Sequence, residues 1–172
     1  MKRLMLLRHA KARRNSEDGT DAGRSLNKRG LRNAEAMGQH MQVQGFVPEL
    51  VISSDAARTR ETTELVSGGL TPQPQIMHTE ALYLASPRTI LQIARQTDDA
   101  IETTMLVGHN PGMADLSWSL VAEQAEPDEL SRLRAFPTCA LAVIDLDIDH
   151  WRDADNGKLI HYVIPADLDP EE

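Results

Sequence analysis

Leu4-Met5-Leu6-Leu7-Arg8-His9-Ala10 is the stretch on which the fold turns. Four consecutive apolar residues closed by a charge predict a short strand buried on both faces, the signature of a parallel sheet covered by helices. The same arginine interrupts the run well short of the roughly 7–15 apolar residues of a signal peptide. A polar, glycine-containing stretch, Lys11–Ser25, follows and reads as a loop. From Asn27 to Gln44, Leu31, Ala34, Met37, Gly38 and Met41 recur at helical spacing, and Gly45 supplies a stop.

The pattern then repeats. Leu50–Ser53 is a second strand, Ala56–Val66 a helix ending at Gly68-Gly69, and Ile76-Met77 a weak strand after the Pro72–Pro74 linker. Ser86-Pro87 starts a helix whose stripe is Ile90, Leu91 and Ala94. Thr103–Val107 is the next strand, and Pro111 opens a helix to Ala122 that is expected to continue through Glu123–Arg134. Ala140–Leu146 and Leu159–Ile164 read as a strand pair joined by an Asp-, Asn- and Gly-rich turn. Strands alternating with helices predict an α/β fold: a three-layer α/β/α sandwich with a mainly parallel sheet and an antiparallel edge. One domain over residues 1–166 is expected, followed by an acidic tail at 167–172.

Composition narrows the function. The net charge of −8 disfavours nucleic acid and anionic membranes as partners. Two Trp, two Tyr and two Phe are too few for base stacking, and leave Met5, Met37, Met41, Met105 and Met113 to fill the core. The single Cys139 lies in an apolar run and reads as an inert buried thiol, which points to a cytoplasmic protein. The aspartates between Asp145 and Asp155 lack the glycine and closing glutamate of a calcium loop and read as a solvated turn.

Three polar clusters each follow an apolar run: Arg8-His9-Ala10, Ser53-Ser54-Asp55-Ala56-Ala57-Arg58 and Gly108-His109-Asn110-Pro111-Gly112. If the three strands are parallel, these clusters share the sheet edge where α/β proteins bind ligands. Arg8 and Arg58 are permanent cations whose planar forks suit a tetrahedral oxyanion. Helix starts near Ala56 and Pro111 would aim free N–H groups at the same place. Cations beside His9 and His109 argue against a metal, and neither a dinucleotide nor a Walker-type glycine pattern is present. Phosphate is the expected guest, with Ser54, Asn110 and Arg24 as further contacts. Ser53 and Ser54 read otherwise as helix caps, and His40, His78, His150 and His161 as incidental.

Leu6-Leu7-Arg8-His9-Ala10, Ser53-Ser54-x-x-x-Arg58-Thr59-x-Glu61-Thr62 and Val107-Gly108-His109-Asn110-Pro111 resemble, in order and spacing, the motifs of the histidine phosphatase superfamily, related to phosphoglycerate mutase. Ala10 stands where the family has glycine. With Asp21-x-x-Arg24-x-Leu26-x-x-x-Gly30, the chain resembles the small phosphohistidine phosphatase branch. The resemblance implies a phosphoglycerate mutase-like fold and a cofactor-independent hydrolase. In it His9 would become phosphohistidine while Arg8, Arg58 and His109 hold the phosphoryl oxygens. Glu80 falls near the position of the leaving-group acid of larger relatives. The expected partner is a histidine-phosphorylated protein in signal transduction, dephosphorylated by a monomer. The alternatives are a small phosphate ester, as for a phosphomonoesterase, and a phosphate-binding module without catalysis.

Overall fold

The computed structural model describes residues 1–169. Strand β1 (Lys2–Arg8) lies near the middle of a six-stranded sheet of order β3-β2-β4-β1-β5-β6. The others are β2 (Leu50–Ser54), β3 (Gln75–Thr79), β4 (Thr103–Gly108), β5 (Leu141–Leu146) and β6 (Lys158–Val163). Strands β3, β2, β4 and β1 run parallel, and β5 and β6 form the antiparallel edge.

The continuous apolar run of β1 is explained by what covers it. Leu4 and Leu6 join Leu50, Ile52 and Leu106 on one face, beneath α3 (Pro87–Arg95), α4 (Gly112–Val121) and α5 (Pro127–Ala135). Met5 and Leu7 join Val51, Met105 and Val107 on the other, beneath α1 (Lys28–Gln44) and α2 (Ala57–Gly68). Each such side chain contributes roughly 1.5–3 kcal/mol on burial. Five methionines, Met5, Met37, Met41, Met105 and Met113, are fully buried and fill this aromatic-poor interior.

Local chemistry sets the helix ends. The Asn27 side chain accepts the Gly30 N–H at 2.8 Å, and Gly45 closes α1 at φ 77°, where a Cβ would be strained. Leu31, assigned to the apolar stripe by spacing, is 37% exposed; the buried line runs through Gly30, Asn33, Ala34, Met37, Gly38 and Met41. Gly38 sits where α1 crosses α2, and a Cβ there would lie 2.6 Å from the Val66 carbonyl oxygen.

Two expectations need correction. The helix of α4 does not run on through Glu123–Arg134, because Pro127 cannot continue a helix and holds Glu126 extended; α5 starts there afresh. The turn between β5 and β6 is not wholly solvated. Trp151 within it is fully buried, donating Nε1–H to the Ile101 carbonyl at 2.7 Å. At the C-terminus, α6 (Pro165–Leu168) packs on α1, with Asp167 bonded to Arg132 at 2.9 Å. The expected boundary at residue 166 falls inside this helix, and residues 170–172 of the acidic tail lie outside the described residues. Among the described residues, no helix is long and apolar enough to cross a membrane.

Gly38→Ala should lower unfolding stability by about 1–3 kcal/mol through overpacking of the α1–α2 crossing. Gly45→Ala has open space and only backbone strain to bear, costing about 1–2 kcal/mol. Urea unfolding of both variants, with unchanged m values, checks the two figures.

Candidate active site

Parallel pairing of β1, β2 and β4 puts their C-terminal ends on one edge: Arg8 stands opposite Gly108, and Ser53 opposite Val107. The chain leaves β1 for α1 on one face and leaves β4 for α4 on the other, which opens a crevice at the end of the sheet. The three clusters read from the sequence meet there.

His9 is fixed by its own backbone. Its N–H donates to the Gly108 carbonyl at 3.1 Å, and its carbonyl accepts from the Cys139 N–H at 2.9 Å. The Nδ1 atom lies 2.7 Å from the Ala10 carbonyl oxygen. A carbonyl only accepts, so Nδ1 carries the proton and Nε2 carries the lone pair. Ala10, where the family has glycine, is itself buried and donates its N–H to Thr62 Oγ1 at 3.0 Å.

His109 is 2% exposed, and its ring centre lies 5.3 Å from that of His9. Its Nε2 is 2.8 Å from Ser54 Oγ. Thus Ser54 meets His109 directly, while its neighbour Ser53 turns back to bond the Ser54 carbonyl at 2.8 Å. Asn110 does not reach inward freely: it donates to the Phe136 carbonyl at 2.8 Å and accepts the Ala114 N–H at 3.2 Å, bracing α4. Arg8 Nη1 shares that same carbonyl at 3.2 Å.

Arg58, 2% exposed in the first turn of α2, donates Nη1 to the Asp21 carbonyl at 2.9 Å and Nη2 to Asp21 Oδ2 at 3.0 Å. Arg24 is likewise taken up by Asp21 Oδ1 at 3.0 Å and by the Arg13 carbonyl at 2.8 Å. Tyr83 donates its hydroxyl to Asp21 and sets its ring edge-on to His109 at 5.3 Å. Glu80 starts a short 3₁₀ turn after β3, exposed, with no hydrogen bond to His9, Arg58 or His109. The structure therefore gathers Arg8, His9, Ser54, Arg58 and His109. Asn110 and Arg24 make the bracing contacts given above, and Glu80 is exposed. Asp21 and Tyr83 were not singled out by the sequence; the only signal was the acidic start of Asp21-x-x-Arg24.

The electrostatics follow from burial among cations. Burial, reinforced by His109 and the two arginines, pushes His9 down to about 3. Burial and then Arg58 push His109 down to about 4, with Asp21 opposing. Arg8 is lowered by burial and by Arg58. Asp21 is held well below the usual carboxylate range by the Tyr83 hydroxyl, with Arg58 and Arg24 adding to it. Among the described residues, the buried side-chain nitrogens without a hydrogen-bond partner are Arg8 Nε, Arg58 Nε and His109 Nδ1. An unmatched buried donor costs about 1–3 kcal/mol, so the two arginine Nε–H groups, with a free ring nitrogen of His109 in the same crevice, favour an acceptor-rich guest. A tetrahedral oxyanion fits. Among the described residues no three His, Cys, Asp or Glu side chains lie at metal-ligand spacing.

The remaining histidines are not all solitary. His40 and His161 approach within 2.9 Å, Nε2 to Nε2, joining α1 to β6, and His150 pairs with Asp99 at 2.9 Å.

Residues 4–82 match the family model of the histidine phosphatase superfamily (branch 1). The chain is 30% identical over 166 residues to an uncharacterized protein of Mycobacterium tuberculosis, covering 92% of this chain and 99% of that one. It is 32% identical to the proposed phosphohistidine phosphatase SixA from Agrobacterium tumefaciens, at a TM-score of 0.79 over 95% of this chain and 98% of that one. The corresponding protein from Nakamurella multipartitia is 28% identical, at a TM-score of 0.81 over 95% and 96% of the two chains.

Because both site histidines titrate below the unfolded value of about 6.5, the unfolded chain binds protons that the folded one refuses. Stability is full above that value and falls as pH drops from 6.5 toward 4, by up to about 1.4 kcal/mol per pH unit for each histidine. Denaturant midpoints at pH 7, 6 and 5 should trace this fall, and a His9→Gln/His109→Gln variant should flatten it.

Proposed function

The chain belongs to the histidine phosphatase superfamily, and from that premise we propose that it hydrolyses phosphohistidine in proteins through a phosphoenzyme on His9. The reading is carried by one observation: Arg8, Arg58 and His109, each with an unmatched buried nitrogen, are close enough to act electrostatically on an imidazole held neutral with its proton on Nδ1.

In the first step the His9 Nε2 lone pair attacks phosphorus in line. The P–Nε2 bond forms as the bond to the leaving nitrogen breaks, and the leaving imidazole keeps that electron pair. In the second step water attacks the same phosphorus, Nε2 leaves with its electron pair, and inorganic phosphate is released with the water proton passed to solvent. Arg8, Arg58 and His109 hold the equatorial oxygens, where charge redistributes. His109 is neutral beside two guanidinium groups; a phosphoryl dianion between them reverses the local field and favours its protonated, donating form.

The preference for a P–N bond rests on acid supply. Among the described residues, Asp21 is the one carboxylate that a hydrogen bond links to the gathered residues, and it is held ionised. An alkoxide leaving group needs a proton at departure, whereas a protonated phosphohistidine releases a neutral imidazole. A protein substrate is supported by the approach: the interval between Arg58 and His109 is used up by α2, β3, α3 and β4, and two open clefts of 560 and 630 Å³ flank the Arg13–Ser25 loop. Cytoplasmic phosphohistidine signalling is the setting this reading implies.

His9→Ala should abolish turnover with the fold intact. Rates on a phosphohistidine peptide, a phosphoserine peptide and sugar phosphates test the substrate class, with phosphohistidine expected to be fastest by at least tenfold. Glu80→Gln should change the phosphohistidine rate less than threefold. A large loss in that variant, or a faster sugar phosphate, would favour a small-molecule phosphomonoesterase.

A further inference from the structure

Asp21 belongs to no strand end and to none of the phosphoryl contacts above, yet the donors of three side chains, Arg58, Tyr83 and Arg24, converge on it. Its backbone oxygen accepts from Arg58 Nη1, its Oδ2 from Arg58 Nη2 and the Tyr83 hydroxyl, and its Oδ1 from Arg24 Nε. A guanidinium is planar, so fixing both Nη atoms fixes the plane and the direction of every remaining N–H. The Arg58 nitrogen left over, Nε, is buried and unmatched. Among the described residues no carboxylate pairs with Arg8, which donates Nη1 to the Phe136 carbonyl at 3.2 Å, so the two arginines are held by different means.

The loop that carries Asp21 is braced without it. Asp18 accepts from Ser16 Oγ, the Thr20 N–H and Thr20 Oγ1 at 2.9, 3.0 and 2.8 Å. Arg13 N–H bonds to the Ser25 carbonyl, and Ala57 N–H to the Ala22 carbonyl, each at 2.8 Å. Of the Asp21 carboxylate, Oδ1 serves the loop through Arg24, while Oδ2 is given to Arg58 and Tyr83. Tyr83, whose ring meets His109 at right angles and lies 5.9 Å below the Arg58 guanidinium, donates its hydroxyl to the same Oδ2 that Arg58 Nη2 uses.

We propose that Asp21 is a positioning residue for phosphoryl transfer, acting through Arg58, whose guanidinium it orients and charge-balances at the crevice. The proposal rests on the reading that Arg58 holds the phosphoryl group. It assigns the loop 11–25 a part in catalysis without any contact to substrate.

A double-mutant cycle on the full chain tests it, using Asp21→Asn, Arg58→Ala and the double variant, with hydrolysis of a phosphohistidine peptide and calorimetric tungstate binding as readouts. Asp21→Asn is near-isosteric, and thermal unfolding of each variant checks that the fold is kept. The loss in kcat/KM from Asp21→Asn should be at least fivefold greater with Arg58 present than in the Arg58→Ala background, and the effect on tungstate affinity should depend on Arg58 in the same way. Side-chain ¹⁵N–¹H spectra should show separate Arg58 Nη signals in the wild type that merge in Asp21→Asn as the guanidinium rotates. A smaller difference between backgrounds, or Nη signals that stay separate in Asp21→Asn, would overturn the proposal. If the wild type does not hydrolyse phosphohistidine, the substrate reading fails while the tungstate cycle still decides the role of Asp21.

Discussion

Arg8 and Arg58 repel each other, and keeping them together is the constraint on which the rest of the molecule depends. The repulsion is visible in the lowered Arg8, for which burial and the Arg58 charge act in the same direction. Neither arginine could be held there by a loop alone. Arg8 is the last residue of a strand paired on both sides, to β4 and to β5, and Arg58 sits in the first turn of a helix packed on the sheet. The two apolar layers that bury β1 supply the free energy that offsets the clustered charge. Asp21 and the Phe136 carbonyl then reduce the cost locally.

The same field determines what the histidines can do. A buried imidazole among cations loses its proton at low pH, so His9 is neutral near pH 7. The nucleophilic role proposed for it would need no neighbouring base, only a fixed tautomer, and the Ala10 carbonyl provides that at 2.7 Å. His109 meets the same burial but stands by Ser54, with Tyr83 on its edge and Asp21 opposing the arginines. Two residues of one type thereby diverge, one suited to attack and the other to donate.

Much of this was legible because strands buried on both faces announce themselves as continuous apolar runs, and their polar sequels fall at one sheet edge. Arg8, His9, Arg58 and His109 were readable for that reason. Asp21 was not, since its pairing with Arg58 spans 37 residues and obeys no periodicity. For Arg24, expected at phosphate, the sequence could not show the partner it has in the folded loop, the Asp21 carboxylate. Trp151 hides in a polar turn and Leu31 lies one position round from the buried line of α1, so local pattern misjudged both. The break before α5 was, by contrast, written in Pro127 and its cap.

The most direct test of the account is the position of the phosphoryl group in an enzyme quenched during turnover on a phosphohistidine peptide. Mass spectrometry of the proteolysed phosphoenzyme, with ³¹P NMR to tell the two ring nitrogens apart, gives it. The predicted result is phosphate on Nε2 of His9, because Nδ1 is bound to the Ala10 carbonyl. Phosphate on Nδ1, or on any residue other than His9, would contradict it.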